Sequence, residues 1–504
     1  MGRIVAALAI LCAVELVVLL VVATRSRDSG ELSSQDVQAL IDEPELRAEV
    51  VQLLAEEALG LYDSHNDPQV GFVLQPGARG RRFKGTSVDT NTLGMREREI
   101  AVPRPEGLVR VVLLGDSFVF GSGVEADERF GVLLERELRA RTGARDLRVE
   151  VLHLGVSGWN VLAECAFLRR QLGQLQPDLV VQLSVANDLN DANGVRGYGA
   201  LAPFTPQHRE RADARLSDGH PRTALGVRTG NLLAAGLDHE SKRRFDGARR
   251  EIERLAEAVE AYGGRYLLLL HWGSSLAVAE EQWAERLPPA RVAALPPGLK
   301  TDRRHILGPN DYHWNPRGHE HVARLLYALI RERGLLPRLD PGPWPEAEAA
   351  LAAEADPGGP ERRRDELIET RMRLVRKLSA ALEPAALDAV TASQVHGGLS
   401  EGGLVHPHAS LCLARRGGSR LALSGRFLDR PELAGGELRV SVDGTHVATV
   451  AIEAGAELAE SWPLPSDLLG RPVLTVQLAA SDYVYTDAAR QDCRVMRLRR
   501  VAIE

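Results

Sequence analysis

"VVLLGDSFVFGSGV", residues 111–124, poses the question on which the reading of the chain turns. Four apolar residues run into Gly115-Asp116-Ser117, and further glycines follow. A short apolar run bounded by turn residues reads as a buried strand. A strand that stops at a serine is either an ordinary strand–turn–helix corner or a nucleophile held at the mouth of a sheet. The corner needs nothing from the rest of the chain. The nucleophile needs a base within hydrogen-bond reach, because a free serine hydroxyl is a poor one.

Around this stretch, strand-like and helix-like segments alternate. The runs 108–115, 147–155, 177–185 and 265–272 are apolar and strand-like. Between and after them, 129–142, 161–175, 240–263 and 316–334 show helical spacing, the last opening on Pro316 and closing on Gly334. Such alternation predicts a parallel sheet covered by helices on both faces, with ligands at the carboxyl ends of the strands. Ser117 would then stand on that rim.

The chain supplies a base far downstream, in "NDYHWNPRGHEH" (310–321). His313 could take the serine proton, and Asp311 could orient the imidazole. Acyl transfer also needs donors for the developing oxyanion. "LGVSGWN" (154–160) places Gly158 after the second strand, where a bare amide can approach a substrate. "SVANDLND" (184–191) places Asn187 after the third, with a neutral side-chain donor. Asp188 reads as structural. His319 and His321 invite a metal site with His313, but a spacing of two on a helix turns them to different faces, and no H-E-x-x-H is present. Trp159 and Trp314 read equally as pocket lining and as core.

Taken in order, "GDSFVFGSG", "GVSGWN", "VANDLND" and "DYHWNPRGH" resemble the SGNH/GDSL hydrolase family over roughly residues 107–335. The resemblance implies a flavodoxin-like three-layer α/β fold and esterase or acyltransferase chemistry without a metal or other cofactor. It makes Ser117 the nucleophile, the amides of Ser117 and Gly158 with Asn187 the oxyanion hole, and Asp311 and His313 the rest of a triad. The family often writes Asp-x-x-His, whereas here position 310 is Asn and the acid is Asp311. Val185 stands where glycine is frequent, and His153 where asparagine is. "FKGTSVDTNTLGMRERE" (83–99) looks like the lead-in of membrane-associated bacterial members.

The remainder bounds the setting. At 504 residues, with 44% hydrophobic and 26% charged, the chain is long enough for two or three folded domains. A net charge of −7 gives no general pull toward nucleic acid. Residues 4–24 are apolar apart from Glu15, about the length that spans a bilayer. The acid costs about 2.5–3.5 kcal/mol, which its Leu, Ile and Val neighbours offset. This predicts a single N-terminal membrane anchor carrying an extracytoplasmic body; a cleaved signal peptide is the rival reading. Arg3 against Arg25 and Arg27 does not decide orientation.

The expected organisation is an anchor (1–30), a helical and irregular lead-in (31–106), the hydrolase domain (107–336), a linker and helical segment (337–393), and a C-terminal all-β sandwich (394–504). The insertion 194–240 is expected to wall the site. In the last module the hairpin signal Asp443-Gly444 separates two alternating strands. Cys412 and Cys493 both fall there and either form a disulfide or remain buried thiols. The expected substrate is an O-acylated glycan or another ester, with a membrane acyl-donor partner if the enzyme is a transferase. The competing class is a glycan-binding scaffold with a silent hydrolase-like domain.

Overall fold

The computed structural model describes residues 61–189 apart from 66, 68, 144 and 145, residues 237–308 apart from 238, and residues 311–384, 394–399, 403–485 and 493–504. Five parallel strands form the central sheet: β1 (Leu108–Gly115), β2 (Arg148–Gly155), β3 (Leu179–Val185), β4 (Arg265–His271) and β5 (Val292–Ala294), in the order β2-β1-β3-β4-β5. All of β1 and β3 is buried, Arg110, Gln182 and Ser184 included, as happens when both faces of a sheet are covered.

The pleat divides their side chains between two cores. Val112, Leu114, Val180, Leu268 and Leu270 face α2 (Val161–Leu175) and α3 (His239–Ala261). Val111, Leu113, Val181, Leu183, Leu267 and Leu269 face α1 (Phe130–Arg141) and α4 (Pro316–Glu332). Three layers follow, as the α/β reading expects. Asn160 caps α2, accepting from the amides of Leu162 and Ala163; Asn315 caps α4, with Pro316 in its first turn.

The chain leaves β1 toward β2 on one side, and β3 pairs with β1 on the other. The crevice at the carboxyl end of β1 is therefore the topological switch point, where ligands bind in open α/β sheets. Ser117 follows β1 by two residues.

The lead-in holds two short hairpins, Tyr62–Ser64 with Phe72–Leu74 and Arg81–Phe83 with Thr86–Val88. Tyr62, Leu74, Val88 and Met95 join the core on the α2 side, so this segment is built into the α/β body. Helices α5 (Pro345–Ala353) and α6 (Gly359–Lys377) follow. The sequence pattern carries the second of these to 383, but Leu378 turns extended and ends the helix; Leu367 is buried while Ile368 is exposed. Arg363 and Arg371 of α6 pair with Glu280 and Glu281, fastening it to the α/β unit.

The C-terminal region is all β. Its main strands are β6 (Leu404–Ala414), β7 (Arg420–Phe427), β8 (Gly436–Val442), β9 (Thr445–Ile452), β10 (Glu457–Pro463), β11 (Val473–Ala480) and β12 (Met496–Ile503). They pair in the order β9-β8-β11-β6-β12-β7-β10. Leu438 and Val440 near one end and Leu421 and Leu458 near the other share one core, so this single sheet bends over on itself. Asp443 and Gly444 both have positive φ at the β8–β9 turn, as the hairpin signal requires. Cys412 is buried in β6; the side chain of Cys493 lies outside the described residues, and with it the question of a disulfide.

Among the described residues no helix is long and apolar enough to cross a membrane. The expected span, 4–24, lies outside them, as do the lead-in helices before residue 61 and nearly all of the 194–240 insertion.

Candidate active site

Ser117 opens a four-residue helix, Ser117–Phe120, immediately beyond the carboxyl end of β1. Asp116 caps it, its Oδ1 accepting from the Phe118 amide at 3.0 Å. Two glycines let this helix lie against the sheet: a Cβ on Gly115 would sit 2.6 Å from Val119 Cγ2, and one on Gly155 would meet backbone of Val119 and Phe120. Arg96 fixes the far side. Its guanidinium donates to the carbonyls of Phe120, Gly121, Ser87 and Val124 at 2.7–3.1 Å. Burial, with Arg129 nearby, pulls the Arg96 pKa down to about 9.

Across the rim, Asp311–Trp314 pairs with Ile306–Gly308 in a small antiparallel hairpin just before α4. Asp311 and His313 are two apart on one strand and so share a face. Nε2 of His313 lies 2.7 Å from Ser117 Oγ. Its Nδ1 is hydrogen-bonded to Asp311 Oδ1, which also accepts from the His313 amide at 3.1 Å. Residues 196 positions apart are thus joined in the sequence Ser–His–Asp. Burial pushes the Asp311 carboxyl up, but His313 and Lys84 overcome this and hold it far below the usual carboxylate range. Asp311 is an anion that accepts from the imidazole.

Lys84 was not legible as a site residue. It reaches in from the turn between strands 81–83 and 86–88 and donates to Asp311 Oδ2 at 2.9 Å. A contact between residues 227 positions apart leaves no spacing signal, and the "FKGTSVDTNTLGMRERE" stretch reads only as the lead-in of membrane-associated members.

The expected oxyanion donors stand at neighbouring strand ends. Gly115 and Gly155 are in register across β1 and β2, which brings the turns carrying Ser117 and Gly158 side by side. Gly158 has φ +93°, a backbone conformation that disfavours any side chain, and its amide makes no hydrogen bond among the described residues. Asn187 lies in the helical turn Ala186–Leu189 directly after β3; its side chain is outside the described residues. Asp188 closes that turn, Oδ2 accepting from the Val185 amide at 2.8 Å.

Several neighbours are packing groups. Trp159 is buried and donates its indole proton to the Phe72 carbonyl at 2.7 Å. Trp314 is buried among Phe118, Phe130, His271 and His319. Neither lines the site as a pocket wall. His319 accepts the Phe130 amide proton through Nδ1 at 3.2 Å, and His321 lies against Glu354 at 3.2 Å, so the two do not converge with His313. Among the described residues no three His, Cys, Asp or Glu side chains gather as a metal site.

A hydroxyl hydrogen-bonded to an imidazole that is in turn held by a carboxylate can be deprotonated as it attacks a carbonyl. The family model for the GDSL-like Lipase/Acylhydrolase family matches residues 113–321. No curated protein matches the chain closely enough to count as a relative. Similar solved structures include a two-domain esterase (CEX) active on acetylated mannans, co-crystallised with mannopentaose; it is 13% identical over 78% of this chain and 90% of its own, with a TM-score of 0.27. Another is a carbohydrate esterase family 2 enzyme plus carbohydrate binding domain from Corynascus thermopiles (Myceliophthora fergusii), 13% identical over 47% of this chain and 68% of its own, TM-score 0.25. A third is TesA, 14% identical over 44% of this chain and 99% of its own, TM-score 0.27. The family match covers β1 from Leu113, the Ser117 helix and the His313 hairpin: residues 113–321 carry a GDSL-like lipase/acylhydrolase domain of the SGNH ester-hydrolase type.

Proposed function

We propose that Ser117 is the nucleophile of an esterase that removes O-linked acyl groups from an extracytoplasmic glycan. The observation that carries the catalytic part is the 2.7 Å approach of His313 Nε2 to Ser117 Oγ, with Asp311 on the other ring nitrogen. Oγ attacks the ester carbonyl as Nε2 takes its proton. The amides of Ser117 and Gly158, with Asn187, receive the negative oxygen, each donor worth about 2.7–4 kcal/mol. The C–O bond to the glycan breaks, and the imidazolium returns its proton to the departing glycan oxygen. Water then repeats the sequence on the acyl-enzyme, releasing the carboxylic acid and Ser117.

The glycan assignment is supported by the all-β unit that α6 fastens beside the hydrolase unit, a suitable platform for a polymer. Membrane tethering is supported by the apolar stretch 4–24, about the length that spans a bilayer, and an extracytoplasmic body is part of the proposal. A sugar hydroxyl in place of water would make the same acyl-enzyme a transferase.

The test is turnover of p-nitrophenyl acetate and of acetylated polysaccharides by the detergent-solubilised full chain and by Ser117→Ala. We expect a loss of at least about 10³-fold in the variant, and fluorophosphonate labelling mapped to Ser117. Equal rates would overturn the reading and leave a silent scaffold. Acetate released to water marks a hydrolase; acetate recovered on an added sugar marks a transferase.

A further inference from the structure

The segment before β1 reaches the reacting groups through one side chain. Lys84 sits in the hairpin turn between Phe83 and Gly85 with φ +50°. That hairpin is anchored: Thr86 Oγ1 donates to the Phe83 carbonyl at 2.8 Å, and Ser87 accepts the Arg96 guanidinium that also grips the Ser117 helix. The Phe83 ring packs edge-on against Phe120, the last residue of that helix, 5.5 Å between centroids. The turn is therefore held in a fixed place relative to Ser117.

From there Nζ donates to Asp311 Oδ2 at 2.9 Å and lies 3.4 Å from His313 Nδ1. The carboxylate divides its work. Oδ1 serves the imidazole and the His313 amide, and Oδ2 serves the ammonium. Asp311 is buried, with 7% of its side chain exposed, so Oδ2 has little recourse to water. Without Lys84 a buried carboxylate oxygen would lose its charge-assisted partner, and the group could turn about its χ2 away from Nδ1.

We propose that Lys84 is a positioning residue of the hydrolytic site. It acts through Asp311, setting the rotamer that orients His313, and it offsets part of the carboxylate charge beside the imidazole. The lead-in hairpin, which lies outside the matched segment 113–321, is thus part of the working site. This rests on the assignment of Ser117, His313 and Asp311 made above.

The experiment measures kcat and KM for p-nitrophenyl acetate from pH 5 to 9 with the full chain as wild type, Lys84→Met, Lys84→Arg and Ser117→Ala. We expect Lys84→Met to lower kcat by about 10–100-fold, the scale of a misaligned reacting group, with KM within about twofold. Removing the cation leaves the base facing the undiluted charge of Asp311, so the acid limb of the kcat/KM profile should move up by about half a unit to one unit. Lys84→Arg should recover most of kcat and return the limb. The limb position does not depend on the fraction of active enzyme, so it reports even if Lys84→Met folds in lower yield. A Lys84→Met profile that superimposes on wild type overturns the proposal, and so does a Lys84→Arg enzyme as slow as Lys84→Met with an unmoved limb. A wild type no faster than Ser117→Ala overturns the hydrolytic reading itself, which the other outcomes leave standing.

Discussion

A Cβ built on Gly155 lies 2.4 Å from the amide nitrogen of Phe120. The obstacle is backbone, so no rotamer change relieves it. Gly155→Ala should therefore lift the Ser117–Phe120 helix off the sheet and carry Oγ away from His313. The expected result is a fall in kcat of about 10-fold or more together with about 1–3 kcal/mol of destabilisation from overpacking. Turnover and thermal melting of the variant check both.

Asp311→Asn tests the other end of the chain of hydrogen bonds. The amide keeps the shape but can present its NH₂ to Nδ1, favouring the wrong imidazole tautomer. The expected loss in kcat is about 10³–10⁴-fold, with Ser117 still present but slow to label with a fluorophosphonate. Labelling as fast as in wild type would show that the imidazole does not need the carboxylate.

Arg96 predicts a structural penalty that reaches the site. Arg96→Met would remove the guanidinium from which four carbonyls accept, two of them, Phe120 and Gly121, on the nucleophile turn. We expect a loss of about 1–3 kcal/mol for each buried carbonyl left without a donor. Arg96→Lys should rescue little, because an ammonium cannot reproduce the planar fork. Urea unfolding of the three proteins measures the difference.

Two histidines make the α/β unit acid-sensitive. His153 Nε2 accepts from the Gly131 amide at 3.1 Å, and His319 Nδ1 accepts from that of Phe130, so neutral imidazoles cap the start of α1. Burial, then Arg129, pull His153 down to about 4 against Glu97, which pulls the other way. Burial and His153 hold His319 well below the ordinary range. On unfolding, both take up protons with a pKa near 6.5. The unfolded state then binds more protons below that pH, so this stability is complete above about 6.5 and declines as pH falls. The His153 share, on the order of 3 kcal/mol, is gone once pH passes below about 4. Unfolding midpoints at pH 7.5, 5.5 and 4.5 should fall in that order, and His153→Asn should flatten the decline.

Where each element is visible in the sequence has a physical basis. β1 and β3 announce themselves because a strand buried on both faces is mostly apolar, with only Arg110, Gln182 and Ser184 interrupting the two runs, and α4 because Pro316 and Gly334 mark its ends. Ser117 and His313 are readable because the family's blocks keep their order, although nothing local says that their atoms meet. The hairpins of 61–88 are three-residue strands, too short to carry a period. Lys84 is therefore invisible until the fold closes a contact spanning 227 positions. Trp159 and Trp314 were ambiguous because a pocket wall and a core use the same side chain; burial assigns them to the core. The sandwich expectation captured the all-β character, but alternation alone does not reveal that one sheet bends over its own core.

Strand β12, Met496–Ile503, runs between β6 and β7 and also pairs with Ala381–Leu382. During synthesis β6 and β7 therefore leave the ribosome more than 60 residues before the strand that joins them. Until then they present open edges, which invite pairing with other chains. A nascent chain stalled or clipped short of residue 496 would carry a finished α/β unit followed by an adhesive, half-built module, and its fate would be aggregation rather than partial activity.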